Sequence, residues 1–293
     1  MENIIKSNTA DTAVDSTAAA IMVEGDFVDL DDYDLSSEQR SRVRQLIRED
    51  TLEYINNKFE KVTPKKSIYT VFVKRFIDFF VALLALTVTL PVNLIIGICT
   101  YFDVGSPIFF KQERVGKGGK TFRIIKFRNM TNATNEKGEL LPPKDRVTKF
   151  GKFVRKTSLD ELLNFWSILK GDMSLIGPRP LVNEYAGYMA DRHRMRTAVR
   201  PGLECPIIIK TDYASTWTEQ FENDVYYVEN VSFLLDVKML FALVKMVFNR
   251  KSSSVRGNVQ RGSFMGYSTN GNSIISKKVP RKYVDKILGT DEV

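Results

Sequence analysis

The sequence predicts an α+β chain: a re-entrant membrane helix hairpin, then a small α/β domain accompanied by amphipathic helices. Three observations lead there. Phe79 to Phe102 carries no charged residue but has Pro91 near its middle. Ile108 to Phe127 reads as two short strands about a glycine-rich turn. Beyond it, two apolar helical patterns are separated by segments rich in glycine and proline.

Residues 1–35 are small, acidic and weakly patterned, and are expected to be mobile. No signal peptide is expected, since Lys6 is the only basic residue near the start and no apolar run follows it. Ser36 to Glu60 reads as a packing or docking helix. Ser36 and Gln39 fit a capping box, and Val43, Leu46, Ile47, Ile55 and Phe59 recur near helical spacing.

As a helix, Phe79–Phe102 would reach about 36 Å, enough to cross a hydrocarbon core of about 30 Å. Pro91 removes a backbone hydrogen bond and kinks the helix. Both flanks are basic, with Lys65, Lys66, Lys74 and Arg75 before and Lys111, Arg114, Lys117 and Lys120 after. The positive-inside rule then wants both ends on the cytoplasmic side. A helix that enters, bends at Pro91 and returns meets all three conditions; a straight span and a buried soluble helix are the rivals. Lys74, Arg75 and Asp78 are expected as juxtamembrane anchors, with Arg75 and Asp78 one turn apart and able to pair.

The hairpin strands are expected near Ile108–Val115 and Thr121–Phe127. Gly119-Lys120-Thr121 is not a phosphate-binding P-loop, because Arg114 stands where the first glycine is needed. Lys126 and Arg128 in "FRIIKFRNM" either contact phosphate or lie on the exposed side of a strand. In "RKTSLDELLNFW", Ser158 is the expected N-cap and Glu161 its capping-box partner, in a helix that Gly171 closes. Whether Asp160 and Glu161 only cap, or also carry chemistry, is not decided locally. "GDMSLIGPRP" is a rigid loop that fixes Arg179 between two prolines. "DRHRMR", with His193, reads as a solvated charged face. Asp224 in "DVYY" is expected either at a nucleotide or as a helix cap. "SFLLDVKMLFALVKMVFNR" is either a core or an interfacial helix, and Lys251 onward reads as a tail.

A formal charge of +8 favours anionic partners: phosphates, acidic lipids or nucleic acid. One histidine and two cysteines leave almost no raw material for Ser-His-Asp catalysis, zinc sites or a disulfide framework. Any chemistry must fall to carboxylates and cations.

"KRFID", the proline-broken apolar run, "PIFFKQERVG", "FRIIKFRNM", "RVTKFGKFVRKTSLDELLNFWSILKGDMSLIGPRP", "VRPGL" and "DVYYVENVSFLLDVKML" occur in that order. Together, over roughly Lys65 to Asn249, they resemble the bacterial sugar transferases, the monotopic polyprenol-phosphate phosphoglycosyl transferases. The resemblance implies a re-entrant hairpin bearing a cytoplasmic α/β catalytic domain with amphipathic interfacial helices, at the bacterial inner membrane. It also implies transfer of a sugar-1-phosphate from a UDP-sugar to polyprenyl phosphate, with release of UMP and a requirement for Mg2+.

By the same match Asp160 is the covalent nucleophile, and Glu161 orients the site and helps deprotonate or position the incoming phosphate. Asp160 and Glu161 are also the implied metal carboxylates. Arg155, and Arg179 after Pro178, would hold phosphate oxygens, while Lys126, Arg128 and Asp224 stay candidate substrate contacts with the alternatives given above. The organisation expected is an extension over residues 1–64, the hairpin over 65–103, the transferase domain over 104–250 and a flexible tail over 251–293. Where many members continue Ile-Thr-Gly after "VRPG", this chain has Leu203-Glu204-Cys205, which departs from the family pattern. A catalytically dead membrane scaffold would show a damaged dyad, and this one is intact. No nucleic-acid motif is present. Membrane lipids are expected partners, and self-association is left open.

Overall fold

The computed structural model describes residues 26–136, 138–206, 216–248 and 262–289. In chain order come strand β1 (Phe27–Val28), helix α1 (Ser37–Lys58), helix α2 (Lys74–Val104), strands β2 (Phe109–Val115) and β3 (Thr121–Phe127), and helices α3 (Pro143–Arg146) and α4 (Lys149–Lys156). Next are α5 (Asn164–Lys170), β4 (Ser174–Ile176), α6 (Asn183–Ala186), α7 (Asp191–Arg194), β5 (Gly202–Glu204), α8 (Trp217–Asn230) and α9 (Phe233–Phe248). The chain closes with β6 (Phe264–Tyr267), β7 (Ser273–Ile275), β8 (Val279–Pro280) and α10 (Arg281–Leu288). The described residues up to Ile55, with those from Gly262 onward, form one compact unit, and the described residues from Asn56 to Phe248 form another.

The first unit corrects the expectation of a mobile start and a flexible tail. Residues 1–25, 249–261 and 290–293 lie outside the described residues, but what lies between them folds. Strand β1 pairs antiparallel with β8, and β6 pairs antiparallel with β7. Val28, Leu30, Val43, Ile47, Met265, Ile274, Val279 and Val284 bury their side chains together. Helix α1 starts as its sequence requires: the Ser36 amide donates to Gln39 Oε1 at 2.9 Å, and the Gln39 amide donates to Ser36 Oγ at 3.2 Å. The Ser/Gly/Lys-rich composition hid this segment, whose short apolar runs include the buried Phe264, Met265, Tyr267, Val279 and Val284.

In the second unit, Tyr69–Val104 forms 36 helical residues, and its most apolar 18-residue stretch has a mean hydropathy of 2.4 and is 11% buried. Length and composition alone make it able to cross a membrane. The helix runs on through Pro91 rather than stopping there. Thr87 and Thr89 donate their hydroxyls to the carbonyls of Leu83 and Ala85, at 2.9 and 2.7 Å, an arrangement that bends helices. Burial falls only at its two ends. Asp78 and Ala82 are buried near the start and Ile96, Gly97 and Thr100 near the end, while no residue from Leu83 to Ile95 is. Gly97 lies against the side chains of Phe127 and Ile108.

The basic and acidic residues at the start of α2 do not pair as Arg75 with Asp78. Arg75 donates to the carbonyls of Ile168 and Leu169, at 2.6 and 2.7 Å. Asp78 accepts the Leu175 amide at 3.0 Å, and Lys74 meets Asp236 at 2.5 Å. Tyr69 and Tyr227 also donate to Asp236. All three α2 residues therefore fasten the helix to the domain behind it.

Strands β2 and β3 pair in the register Arg114↔Phe122, Gln112↔Ile124 and Phe110↔Lys126. Residues directly opposed share a face, so Arg114, Ile124 and Lys126 point to the same side. Ile124 packs there in one cluster with Ile168 of α5, Met173 and Ala82. Strands β4 and β5 run parallel, and a Cβ on Gly202 would come within 2.2 Å of the Gly177 nitrogen. Only glycine permits this approach, which holds the Gly-Pro-Arg-Pro loop against the segment after Pro201.

"DRHRMR" is not a solvated face. His193 is fully buried between Phe59 and Phe221 and lies 2.7 Å from Glu222. Arg196 is buried and pairs with Asp224 at 2.6 Å. Alternating charges suggested solvent because their partners stand some 28 or 29 residues further on. The Arg196–Asp224 pair is shut away from water, so removing one partner strands the other. Asp224→Ala is expected to cost about 3 kcal/mol, read as a lower unfolding temperature in detergent. Glu113→Ala, which breaks the exposed Arg123 pair, should cost well under about 1 kcal/mol.

Candidate active site

Three segments converge on Asp160 and Glu161. Helix α4 comes first: Thr148 caps it by accepting the Gly151 amide at 2.8 Å and donates its hydroxyl to Asp103 at the end of α2. A Cβ on Gly151 would come within 2.2 Å of the Asn129 carbonyl oxygen. That close approach seats Asn129, whose side-chain amide faces Asp160 Oδ2 at 3.4 Å.

The turn after α4 differs from the expected helix start. Ser158 sits in the left-handed region at φ 56° and makes no capping bond, and a 3-10 turn spans Leu159–Glu161. Helix α5 begins later, at Asn164. An N-cap needs extended backbone, so Ser158 cannot serve as one. A non-glycine residue held in this region costs about 1–3 kcal/mol. Here it is the residue that turns the chain from α4 into the acidic pair.

Glu161 is not a capping partner either. Its Oε1 accepts from Lys126 Nζ at 2.7 Å and from Arg179 Nη2 at 2.6 Å. Burial alone would raise this carboxyl, but Arg179 and Lys126 outweigh it and hold the pKa at about 2. Lys126 reaches Glu161 because it lies one step along β3 from Ile124, on the face packed against α5. The strand thus aims the lysine.

Asp160 is buried, and burial pushes its carboxyl above the usual range, with Lys126 pulling partly against it and Glu161 adding to it. Arg155 is exposed, and its charge is felt at Asp160. Arg179 is held by more than Glu161. Its Nη1 donates to the Leu203 carbonyl at 3.2 Å and approaches Glu204 Oε2 at 3.4 Å. Glu204 thus joins the site at a position where the chain departs from the family pattern. Pro178, on the other side, uses its carbonyl to accept the Gly202 amide at 3.1 Å.

Lys126 and Arg179 are therefore brought to the dyad, and Arg128 and Asp224 are not. The Arg128 guanidinium donates to the carbonyls of Val104, Gly105 and Ser106, tying β3 to the end of α2. Asp224 is neither a cap nor a surface contact. Thr216 and Glu219 form the capping box of α8, while Asp224 lies buried in mid-helix against Arg196. Arg196 in turn donates to the Arg179 carbonyl at 2.8 Å, so Asp224 supports the arginine loop from beneath. Sequence reasoning missed Asn129, Arg114, Arg196 and Glu204. For Arg114 a signal existed: the hairpin register puts it on the face of Lys126.

Two neighbouring carboxylates, one shared by a lysine and an arginine, stand in a chain whose longest helix is long and apolar enough to cross a membrane. The model of the bacterial sugar transferase family matches residues 69–250, and the chain belongs to that family of enzymes. Over 193 residues, 66% of the chain, it is 39% identical to the uncharacterized sugar transferase EpsL of Bacillus subtilis, covering 96% of that protein. It is 36% identical over 60% of its length to the UDP-N-acetylgalactosamine-undecaprenyl-phosphate N-acetylgalactosaminephosphotransferase of Aeromonas hydrophila, covering 44% of it. To the UDP-glucose:undecaprenyl-phosphate glucose-1-phosphate transferase of Klebsiella pneumoniae it is 35% identical over 65% of its length. The match takes in 43% of that protein, so the chain spans less than half of these two longer relatives.

Proposed function

We propose that this protein transfers a sugar-1-phosphate from a UDP-sugar to polyprenyl (undecaprenyl) phosphate and releases UMP. This would be the first membrane step in building a capsule, exopolysaccharide or other glycoconjugate. The observation that carries the reading is the shared bond of Lys126 and Arg179 to Glu161 beside a buried Asp160, in a chain of this family. An Asp160 oxygen attacks the phosphorus that bears the sugar, and the bond from that phosphorus to the UMP oxygen breaks. The product is an acyl phosphate, a mixed anhydride that joins the Asp160 carboxyl to the phosphosugar. An oxygen of polyprenyl phosphate then attacks the same phosphorus, giving polyprenyl diphosphosugar and freeing the carboxylate.

Arg179 and the exposed Arg155 would take the phosphate oxygens, where preorganised cations stabilise charge that develops in the transition state. Glu161 is a poor proton acceptor at a pKa of about 2. Its role is to hold Lys126 and Arg179 in place, which is the orienting half of the sequence expectation. Mg2+ fits the donor set in one way. Glu161 is engaged by two cations, and no cluster of three or more His, Cys, Asp or Glu side chains occurs among the described residues. A divalent ion would rest on Asp160 and on substrate phosphate oxygens. When bound it would supply charge neutralisation beside a carboxylate whose ionised form is disfavoured by burial.

The re-entrant topology is supported by the burial pattern of α2. A straight rod fixed to one globule at both ends would bury its middle before its ends. Here the unburied stretch is Leu83–Ile95, with Pro91 inside it. That stretch dips into the inner membrane, and both ends stay on the cytoplasmic side with the catalytic domain. In a Cys99→Ser background, Lys66→Cys and Lys120→Cys should both react from the cytoplasmic face with a membrane-impermeant maleimide; labelling from opposite faces contradicts the hairpin. The reaction itself is tested by screening UMP release over UDP-sugars with undecaprenyl phosphate in detergent. At least one donor should give acceptor-dependent UMP, and silence across the panel would defeat the proposal.

A further inference from the structure

Arg114 lies on the site face of the hairpin, four residues along β2 from Phe110, the partner of Lys126. At about 3.4 Å per residue, that puts it about 14 Å from the Lys126 end. Between the two lies Arg179, which reaches Glu161 on one side, while the carbonyl of Pro180 receives Arg114 at 3.4 Å on the other. Asp160 and the sugar-bearing phosphate belong at the Lys126 end. Arg114 belongs at the other.

The surroundings of Arg114 are unusual for a half-buried guanidinium. It donates to Gln112 Oε1 at 2.6 Å and, weakly, to the Pro180 carbonyl; its Nε is buried without a hydrogen-bond partner. Neither bond brings a carboxylate, although buried charges ordinarily have one. Burial disfavours its charge, the Arg179 cation disfavours it further, and Glu161 offsets this only in part. A role as a structural brace explains little. The Val115 amide already clips this strand end to the loop by donating to the Leu181 carbonyl at 2.9 Å. The cation that acts on Arg114 is Arg179, so an anion placed between the two guanidinium groups would be stabilised by both.

We propose that Arg114 and Arg179 together form the subsite for the nucleotide-side phosphate of the donor, so that Arg114 binds the UMP portion before and after it leaves. The inference rests on the proposed transfer reaction for the identity of the nucleotide, but on geometry for the anion. Its class of ligand is a diphosphate or nucleoside phosphate.

The probe is inorganic pyrophosphate, titrated calorimetrically into the full chain in detergent. Wild type should bind it, Arg114→Gln should weaken binding at least tenfold, and Arg114→Lys should stay within threefold of wild type. Binding by Arg114→Gln within twofold of wild type, no binding to wild type at millimolar pyrophosphate, or Arg114→Lys as weak as Arg114→Gln would each overturn the proposal. A second measurement needs no variant and so survives any folding defect. Pyrophosphate should protect Arg114 of the wild-type chain from phenylglyoxal, read by peptide mass, and unprotected modification overturns the subsite. These readouts are independent of turnover. A chain that binds pyrophosphate through Arg114 but releases no UMP would keep the subsite and sink the transfer reaction instead.

Discussion

Asp160→Asn is expected to abolish UMP release from every UDP-sugar, a loss on the order of 10^4-fold or more, with membrane association unchanged. Asparagine matches the shape of the aspartate and can still present an oxygen to Asn129, so the turn after Ser158 should survive. What it lacks is the negative oxygen that the proposed reaction brings to phosphorus. No neighbour can replace it. Glu161 is shared by Lys126 and Arg179, and drawing it toward the substrate would break both bonds. Residual turnover near the wild-type level would mean that another group attacks first. Asp160→Glu is the informative companion, because it keeps the charge but lengthens the reach by one methylene.

The second large effect belongs to Arg179. Arg179→Gln should lower the rate by about 10^2–10^3-fold, the usual cost of losing a preorganised charge donor. It should also expose a pH signature in stability. The folded-state pKa of Glu161, about 2, lies below its ordinary value of 4.5. That stability is therefore complete above about pH 4.5 and lost as pH falls toward 2. With Arg179 gone, Lys126 is the remaining close partner, and the acid-side loss should shrink. A variant with unchanged activity would remove Arg179 from the phosphate site; one with unchanged acid sensitivity would show that Lys126 alone holds Glu161.

Elements carried by local chemistry were legible in the sequence. Strands β2 and β3 follow from alternation about a glycine turn, and β3 matches its expected bounds while β2 starts one residue later. Helix α1 announces itself by Ser36 and Gln39, whose reciprocal bonds form as expected. Elements decided by distant partners were not legible. The acidic pair looked like a capped helix start because Ser-x-x-Glu spacing says so, and nothing local reveals that Lys126 and Arg179 claim Glu161. His193 and Arg196 looked solvated because Glu222 and Asp224 sit on a later helix. The C-terminal segment was passed over on composition, although Asn270-Gly271 between two apolar runs is a strong hairpin signal.

At the site, the resemblance singled out Asp160, Glu161, Arg155 and Arg179, and three of these four meet in space. Arg155 stays exposed at the rim. Spacing alone could not separate Lys126, which reaches Glu161, from Arg128, which ties down the end of α2. Two residues apart in sequence, Lys126 turns to Glu161 and Arg128 to the carbonyls of Gly105 and Ser106, and those partners decide their roles.

The proposed reaction turns on a covalent phosphosugar at Asp160. The full chain in detergent is incubated with a turned-over UDP-sugar and no lipid acceptor, quenched, digested and analysed by mass spectrometry. A phosphosugar is expected on the peptide bearing Asp160, absent in Asp160→Asn and discharged when undecaprenyl phosphate is added. Adduct on Glu161, or full turnover with no adduct under single-turnover conditions, would contradict it.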